Sequence, residues 1–201
     1  MIKSCLLFIF FIAVTVNQVF AVEDSAIVYQ YSMRSEIGPE TWRNTKKAFQ
    51  EASELNASAM LIHMNTYGGL LNAADSIRTK ILNAGIPVIV FVDNNAASAG
   101  ALISIACDKI YMRPGGNIGA ATVVDQSGKP VPDKYQSYMR SLMRSTAESH
   151  GKDTLINEKG DTSFVWFRDP AIAEAMVDPR LKVPGVVDSG KVISFSASEA
   201  L

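Results

Sequence analysis

An α/β fold with a mostly parallel sheet is what this chain predicts, and three observations carry that prediction. Strand-like and helix-like segments alternate along its length, a pattern that folds into parallel strands joined by helical crossovers. One strand-like run, "IPVIVFVD" at 86–93, is apolar almost without a break, as suits a parallel strand covered on both faces. The helical segments place apolar residues at three- and four-residue spacing along one stripe. With 201 residues, 48% of them apolar and 19% charged, the chain can bury a real core as one domain and is too apolar to be disordered. A formal net charge of −1, with no basic stripe, argues against a nucleic-acid partner.

The elements follow in order. "AIVYQYSM" (26–33) reads as the first strand. Pro39 and Glu40 then open a helix, as prolines and acids in a first turn do, and Trp42, Ala48, Phe49, Ala52 and Leu55 recur along it at helical spacing. "SAMLIHMNT" (58–66) is a second strand. In "LLNAADSIRTKILNAG" (70–85), Leu71, Ala74, Ile77 and Ile81 share a stripe and Gly85 is the stop. The apolar run at 86–93 is the third strand, a helix starting near Ser98 comes next, and "KIYMRPG" (109–115) is the fourth strand. A polar turn region at 122–133 leads into an amphipathic helix at 134–151, with Tyr135, Tyr138, Met139, Leu142, Met143 and Thr146 on its expected inner face. A short helix at 171–179 and a last strand in "KVISF" complete the series. The tail after that strand looks like the first turn of a further helix, as in a piece of a longer protein.

The first residues read as an export signal. Lys3 supplies the positive region, Leu6–Val16 the apolar core, and Val19-Phe20-Ala21 the small residues that a signal peptidase reads. The run is short for a membrane span. Cleavage after residue 21 leaves a mature chain from 22 to 201 with one thiol, Cys107, in an apolar stretch, so no internal disulfide can form. The expected location is extracytoplasmic or membrane-associated.

The chemistry concentrates in "NNAASAGA" (94–101), where a lone serine stands among very small side chains at a strand-to-helix junction. Two readings fit. Ser98 caps the helix, as serine favours, or it is a nucleophile. A nucleophilic serine needs exposure, a base and donors for an oxyanion. A position beyond the carboxyl end of a parallel strand supplies exposure. The amide of Ala99, at a helix start, is one donor. "NTYGG" (65–69) follows the second strand at the equivalent end, and its two glycines allow a backbone turn that presents another amide.

The base is open at this level. His63 lies inside a strand and reads as a packed core residue. His150 ends a helix and reads as its cap. Lys134 shares a helix face with Tyr138 and Leu142, which aims its stem toward the protein. A partly dehydrated lysine has a lowered pKa and can take a proton as the neutral amine. Lys134 equally reads as a solvated lysine.

Together these residues give a resemblance. "MNTYGGLLNAADSIRTKIL", "PVIVFVDNNAASAGALISIACDKIYMRPGGNIGAA" and "AIAEAMVDPRLKVPGVVDSGKVISF" resemble the ClpP-class membrane serine proteases associated with NfeD proteins, from about Ala26 to the end. The family pattern T-P-G-G corresponds to Thr66-Tyr67-Gly68-Gly69, and A-x-S-A-G to Ala96-Ala97-Ser98-Ala99-Gly100. The resemblance implies a ClpP/crotonase-like α/β fold of stacked β-β-α units and one protease domain over 22–201. It implies a Ser–Lys dyad with Ser98 as nucleophile, and an oxyanion hole from the amides of Gly69 and Ala99, with Gly68 as a further oxyanion-hole residue. It also implies apolar peptide substrates from stomatin-like membrane partners and self-association into a homo-oligomer. No cluster has metal-ligand spacing, so neither a metal nor a cofactor is expected. Members often continue into transmembrane helices and a small β-barrel domain.

Two positions depart from the pattern. Tyr67 replaces the proline, which matters little because the amides do the chemistry. The register of the family lysine falls on Pro130, leaving Lys134, one helical turn later, as the expected base and Lys129 as the runner-up. If neither reaches Ser98, the chain is a binding scaffold that keeps the shell of a protease. Acyl-CoA chemistry, which shares the fold, fits poorly with an export signal and with no basic cluster for the CoA phosphates.

Overall fold

The computed structural model describes residues 26–157 and 159–200. The expected export signal lies outside them. Six strands form one sheet, in the order β1 (Val28–Met33), β2 (Ala59–Thr66), β3 (Val88–Ala97), β5 (Asn117–Gly119), β8 (Ser194–Ser196), with β4 (Lys109–Met112) also paired to β3. Every pairing is parallel except β5 with β8. The helices are α1 (Pro39–Glu54), α2 (Leu71–Leu82), α3 (Ala99–Ala106), α4 (Asp133–Glu148) and α5 (Pro170–Ala175). The mostly parallel α/β arrangement is the predicted one; β5 is a strand that the sequence reading did not include.

Period-two alternation sets the core. Met60, Ile62 and Met64 of β2 and Val88, Val90 and Val92 of β3 are fully buried, and they pack with Ala48, Phe49 and Ala52 of α1 and Ala74, Ile77 and Ile81 of α2. Each such aliphatic side chain contributes roughly 1.5–3 kcal/mol on burial. The residues between them, Leu61, His63, Ile89 and Phe91, are only half-buried. The apolar run of β3 is therefore a strand packed tightly on one face and half-open on the other, not covered equally on both. β3 also runs past the expected end at Asp93 to Ala97, because Asn95, Ala96 and Ala97 pair with β5 and Ala96 with Thr66.

Two further expectations change. Tyr135 and Tyr138 do not face inward: they are 46% and 51% exposed. The buried stripe of α4 runs instead through Gln136, Met139, Leu142, Met143, Thr146 and Ala147, and the Tyr138 hydroxyl donates to Asp75 Oδ2 of α2 at 3.2 Å. The stretch after α4 holds an antiparallel hairpin that periodicity did not mark: β6 (Lys152–Ile156) and β7 (Thr162–Trp166), exposed at every residue.

Candidate active site

Ser98 sits at the join of β3 and α3. All eight residues of α3 are buried, so this helix is apolar all round and occupies the middle of the molecule. Ser98 itself is half-buried, with φ 54° and ψ −117°, a region that a residue with a side chain rarely occupies. Its N–H donates to the carbonyl of Gly119 at 2.9 Å, and its carbonyl accepts from Ala101 at 2.9 Å. Its hydroxyl makes no cap hydrogen bond to α3. The capping role is thus unfilled, and among the described residues the Oγ has no hydrogen-bond partner.

The glycine loop passes directly over this serine. A Cβ on Gly68 (φ +111°) would lie 2.7 Å from Ser98 Cβ and 3.1 Å from its Oγ. A Cβ on Gly69 (φ +151°) would lie 2.2 Å from the Ile37 carbonyl oxygen. Both positions therefore require glycine. The loop is tied down from two sides. Ile37 N–H donates to Gly68 O at 2.8 Å and Leu70 N–H to Ile37 O at 2.7 Å, a single parallel bridge that leaves Gly69 N–H free. Thr66 Oγ1 accepts from Gly68 N–H at 3.1 Å and donates to Ser35 O at 2.8 Å. Among the described residues, then, the amides of Gly69 and Ala99 have no acceptor, while that of Gly68 is engaged. Ala99 N–H also stands at the positive end of α3. Gly100 completes the junction: a Cβ there would lie 2.7 Å from Thr66 Cγ2, so the first turn of α3 can press against the end of β2 only without a side chain.

The expected bases lie on more exposed ground. Lys134 is exposed in the first turn of α4, and its amine sits 4.8 Å from the ring centroid of Tyr135 rather than pointing inward. Lys129 is exposed in a turn where Asp125 accepts from the backbone of Ser127 and Lys129. Neither amine hydrogen-bonds Ser98. The segment before α4 is clamped by buried Gln136, which exchanges hydrogen bonds with both backbone groups of Val123. The start of α4 is pinned by a charge network. Buried Asp178 is hydrogen-bonded by Arg180 and lies 2.8 Å from Arg140, and both arginines reach Asp133. The Arg180 side chain holds the Asp178 carboxyl down to about 2.

The histidines take other roles. His63 is not a packed core residue. It stands half-exposed beside Arg34, whose Nη2 is 2.8 Å from His63 Nε2 and 3.0 Å from buried Asp93, with Arg113 on the other oxygen of Asp93 at 2.8 Å. His150 does not cap α4; its Nε2 bonds the Ile105 carbonyl of α3 at 2.7 Å. Burial pushes the Cys107 thiol up, so it is an inert packing residue. A groove of about 1140 Å³ between β4, α5 and residues 195–200, lined by Ile105, Ile110, Met112, Ile172 and Phe195, does not include Ser98.

Sequence reasoning missed Ile37, Gly119, the Asp178 network and the tethering role of Thr66. All four act through tertiary contacts that no local spacing signals.

A serine with unusual backbone angles at a strand-to-helix junction, under a two-glycine loop, places the chain among ClpP-like folds. ClpP1 from Listeria monocytogenes has the same fold, with a TM-score of 0.56 over 86% of this chain and 85% of that one, at 14% identity. The chain belongs to the NfeD1b N-terminal domain family, whose model matches residues 27–201. It is 29% identical over 200 residues to the membrane protein NfeD1b of Bacillus subtilis, covering 99% of this chain and 42% of that protein's length. It is also similar to the 1510-N membrane-bound stomatin-specific protease, solved as a lysine-to-alanine mutant in complex with a substrate peptide. That match has 27% identity and a TM-score of 0.68, over 87% of this chain and 71% of the other. Among the described residues no helix is long and apolar enough to cross a membrane.

Proposed function

We propose that this domain is a serine endopeptidase that cuts apolar segments of a membrane-protein partner. The observation that carries the reading is the unpartnered Ser98 hydroxyl at the tip of α3, with two acceptor-free amides, Gly69 and Ala99, on the elements that meet there. The likeness to a protease solved with a substrate peptide supports it.

In this mechanism the neutral amine of Lys134 takes the Ser98 proton, and Oγ attacks the peptide carbonyl. The oxyanion is held by the N–H groups of Gly69 and Ala99; losing one such donor costs roughly 10²–10³ in turnover. The protonated amine returns its proton to the leaving nitrogen, and water, activated by the same amine, releases the acyl-enzyme. Lys134 must leave the Tyr135 ring to do this, and Lys129 is the alternative base. Export by the N-terminal segment, a protease domain over 22–201 and self-association complete the reading.

A second reading, a non-catalytic scaffold that binds such segments, is favoured by one observation: among the described residues no amine hydrogen-bonds Ser98. Labelling with a serine-reactive fluorophosphonate separates the two. The protease reading expects stoichiometric labelling that Ser98→Ala abolishes and that either Lys134→Ala or Lys129→Ala reduces at least about a hundredfold. A folded chain that takes no label is a scaffold.

A further inference from the structure

The groove beside β4 is outside the candidate site and unused by it. Among the described residues β4 pairs with β3 alone, so its other edge is open, and all four of its residues line the groove. Arg113 N–H, just past the strand, donates to Val92 O of β3 at 2.9 Å. Backbone groups of successive strand residues point to opposite edges. Those of Lys109 and Tyr111 therefore meet β3, as Arg113 does, and those of Ile110 and Met112 face the groove. An open edge of this kind is a template for one more strand. The other walls are apolar, from Ile172 and Met176 of α5 and from Phe195. At about 1140 Å³ the space exceeds the roughly 300–1,000 Å³ of a small-molecule site.

Positive charge gathers at one end. The Lys109 amine and the Arg168 guanidinium each lie 5.0 Å from the Phe167 ring centroid, and Arg168 Nη2 donates to Asp108 O at 3.3 Å, beside the first residue of β4. Arg168 Nη1 is buried with no hydrogen-bond partner among the described residues. The nearby acids are engaged elsewhere: Asp108 accepts from Val88 N–H at 2.7 Å, Asp169 from Ala171 N–H at 2.7 Å and Glu199 from Ser196 N–H at 2.8 Å. An unpaired buried guanidinium nitrogen is uncommon, and with Lys109 it leaves this end of the groove short of an anion.

We propose that the groove binds the C-terminal end of an apolar peptide, laid as an extra strand on β4 with its carboxylate at Lys109 and Arg168. The open edge selects an extended backbone, the walls select apolar side chains, and the two cations select the carboxylate. Because the cations stand at the amino end of β4, the peptide runs antiparallel to it, the slightly more stable pairing. Ile110 and Met112 exchange backbone hydrogen bonds with alternate peptide residues. The site does not depend on Ser98 being a nucleophile.

Fluorescence polarisation tests this, with fluorescein-labelled Gly-Val-Leu-Val-Leu bearing a free carboxylate. The protein is the full chain carrying Ser98→Ala, so that cleavage cannot intrude. Saturable binding is expected. Capping the peptide carboxylate as an amide is expected to weaken binding about tenfold or more, and Lys109→Gln with Arg168→Gln to make acid and amide bind alike. N-methylation at one peptide residue is expected to abolish binding and at the next to be tolerated, as strand pairing requires. These peptide changes leave the protein untouched, so a variant that fails to fold does not decide the matter. No saturable binding, an amide that binds as well as the acid, or N-methyl effects that do not alternate overturns the proposal. Laurate that binds through Lys109 and Arg168 while the peptide fails to displace it assigns the groove to a long-chain acid and also overturns the proposal.

Discussion

Gly68 lies against Ser98 so closely that a single added methyl would stand 2.7 Å from the serine Cβ. The two residues are 30 positions apart in sequence, yet each fixes where the other can be. Gly68→Ala is expected to cost about 3 kcal/mol, combining overpacking with an unfavourable positive φ, and to cut Ser98 labelling. Gly69→Ala, whose methyl would meet the Ile37 backbone, is expected to cost at least as much. Urea denaturation beside fluorophosphonate labelling measures both. A Gly68→Ala protein of wild-type stability would show that the contact is looser than described.

The backbone of Ser98 stores strain that the rest of the fold holds in place. Glycine relieves a positive φ worth about 1–2 kcal/mol and gives back about 0.5–1 kcal/mol through unfolded-state entropy. Ser98→Gly is therefore expected to be about 0.5–1 kcal/mol more stable than Ser98→Ala, with labelling lost in both. The comparison is made by denaturant titration of the two variants, and the reverse order would rule out strain at this residue.

Gly100 and Thr66 form a pair testable by compensation. Gly100→Ala gains about 1 kcal/mol of helix propensity but puts a methyl 2.7 Å from Thr66 Cγ2, so a net loss of about 1–2 kcal/mol is expected. Thr66→Ser removes that methyl and keeps the hydroxyl that holds Gly68. The double variant is expected to regain most of the loss in thermal melts. Additive losses would mean that the two side chains do not meet.

Asp178 makes stability depend on acid. Its carboxyl is held at about 2 by Arg180, with help from the Arg180 backbone N–H and the charge of Arg140, against 3.8 for an ordinary aspartate. A depressed acid stabilises the fold above its unfolded pKa, and that contribution is lost as pH falls through the folded one. The stability at risk therefore disappears between about pH 4 and pH 2. Asp178→Asn is expected to cost about 2 kcal/mol at pH 7 and to flatten the acid limb in that window. An unchanged limb in a pH series of melts would assign acid sensitivity elsewhere.

Much of this was legible in the residues. β2, α2 and the strand-to-helix junction at Ser98 announce themselves by period-two alternation, by the Leu71–Ile81 stripe and by the small residues around Ser98. α1 was equally plain from Pro39 onward. What failed was geometry between elements. The inner face of α4 was misjudged at Tyr135 and Tyr138 because the helix is partnered by α2, α3 and α5 together, which rotates its buried stripe toward Gln136 and Met143. His63 looked like core because its strand is apolar, but its face of the sheet is only half-buried and gathers Arg34, Asp93 and Arg113. The β6–β7 hairpin was invisible because its strands bury nothing in this chain, so no periodic signal marks them. The base proposed for Ser98 stayed undecided for a related reason: a flexible side chain on an exposed turn leaves no trace in spacing.

The single bridge between Ile37 and Gly69 has a consequence for how activity would be lost. The free amide at position 69 is aimed by a residue that belongs to the connection between the first strand and the first helix, far upstream of the serine. Clipping the chain between Arg34 and Gly38 would leave Ser98 seated and the central helix buried, yet release the Gly69 amide opposite. Such a nicked molecule would still look folded while, under the proposed mechanism, being unable to steady a tetrahedral intermediate, which makes this short upstream connection a weak point that no inspection of the serine itself would reveal.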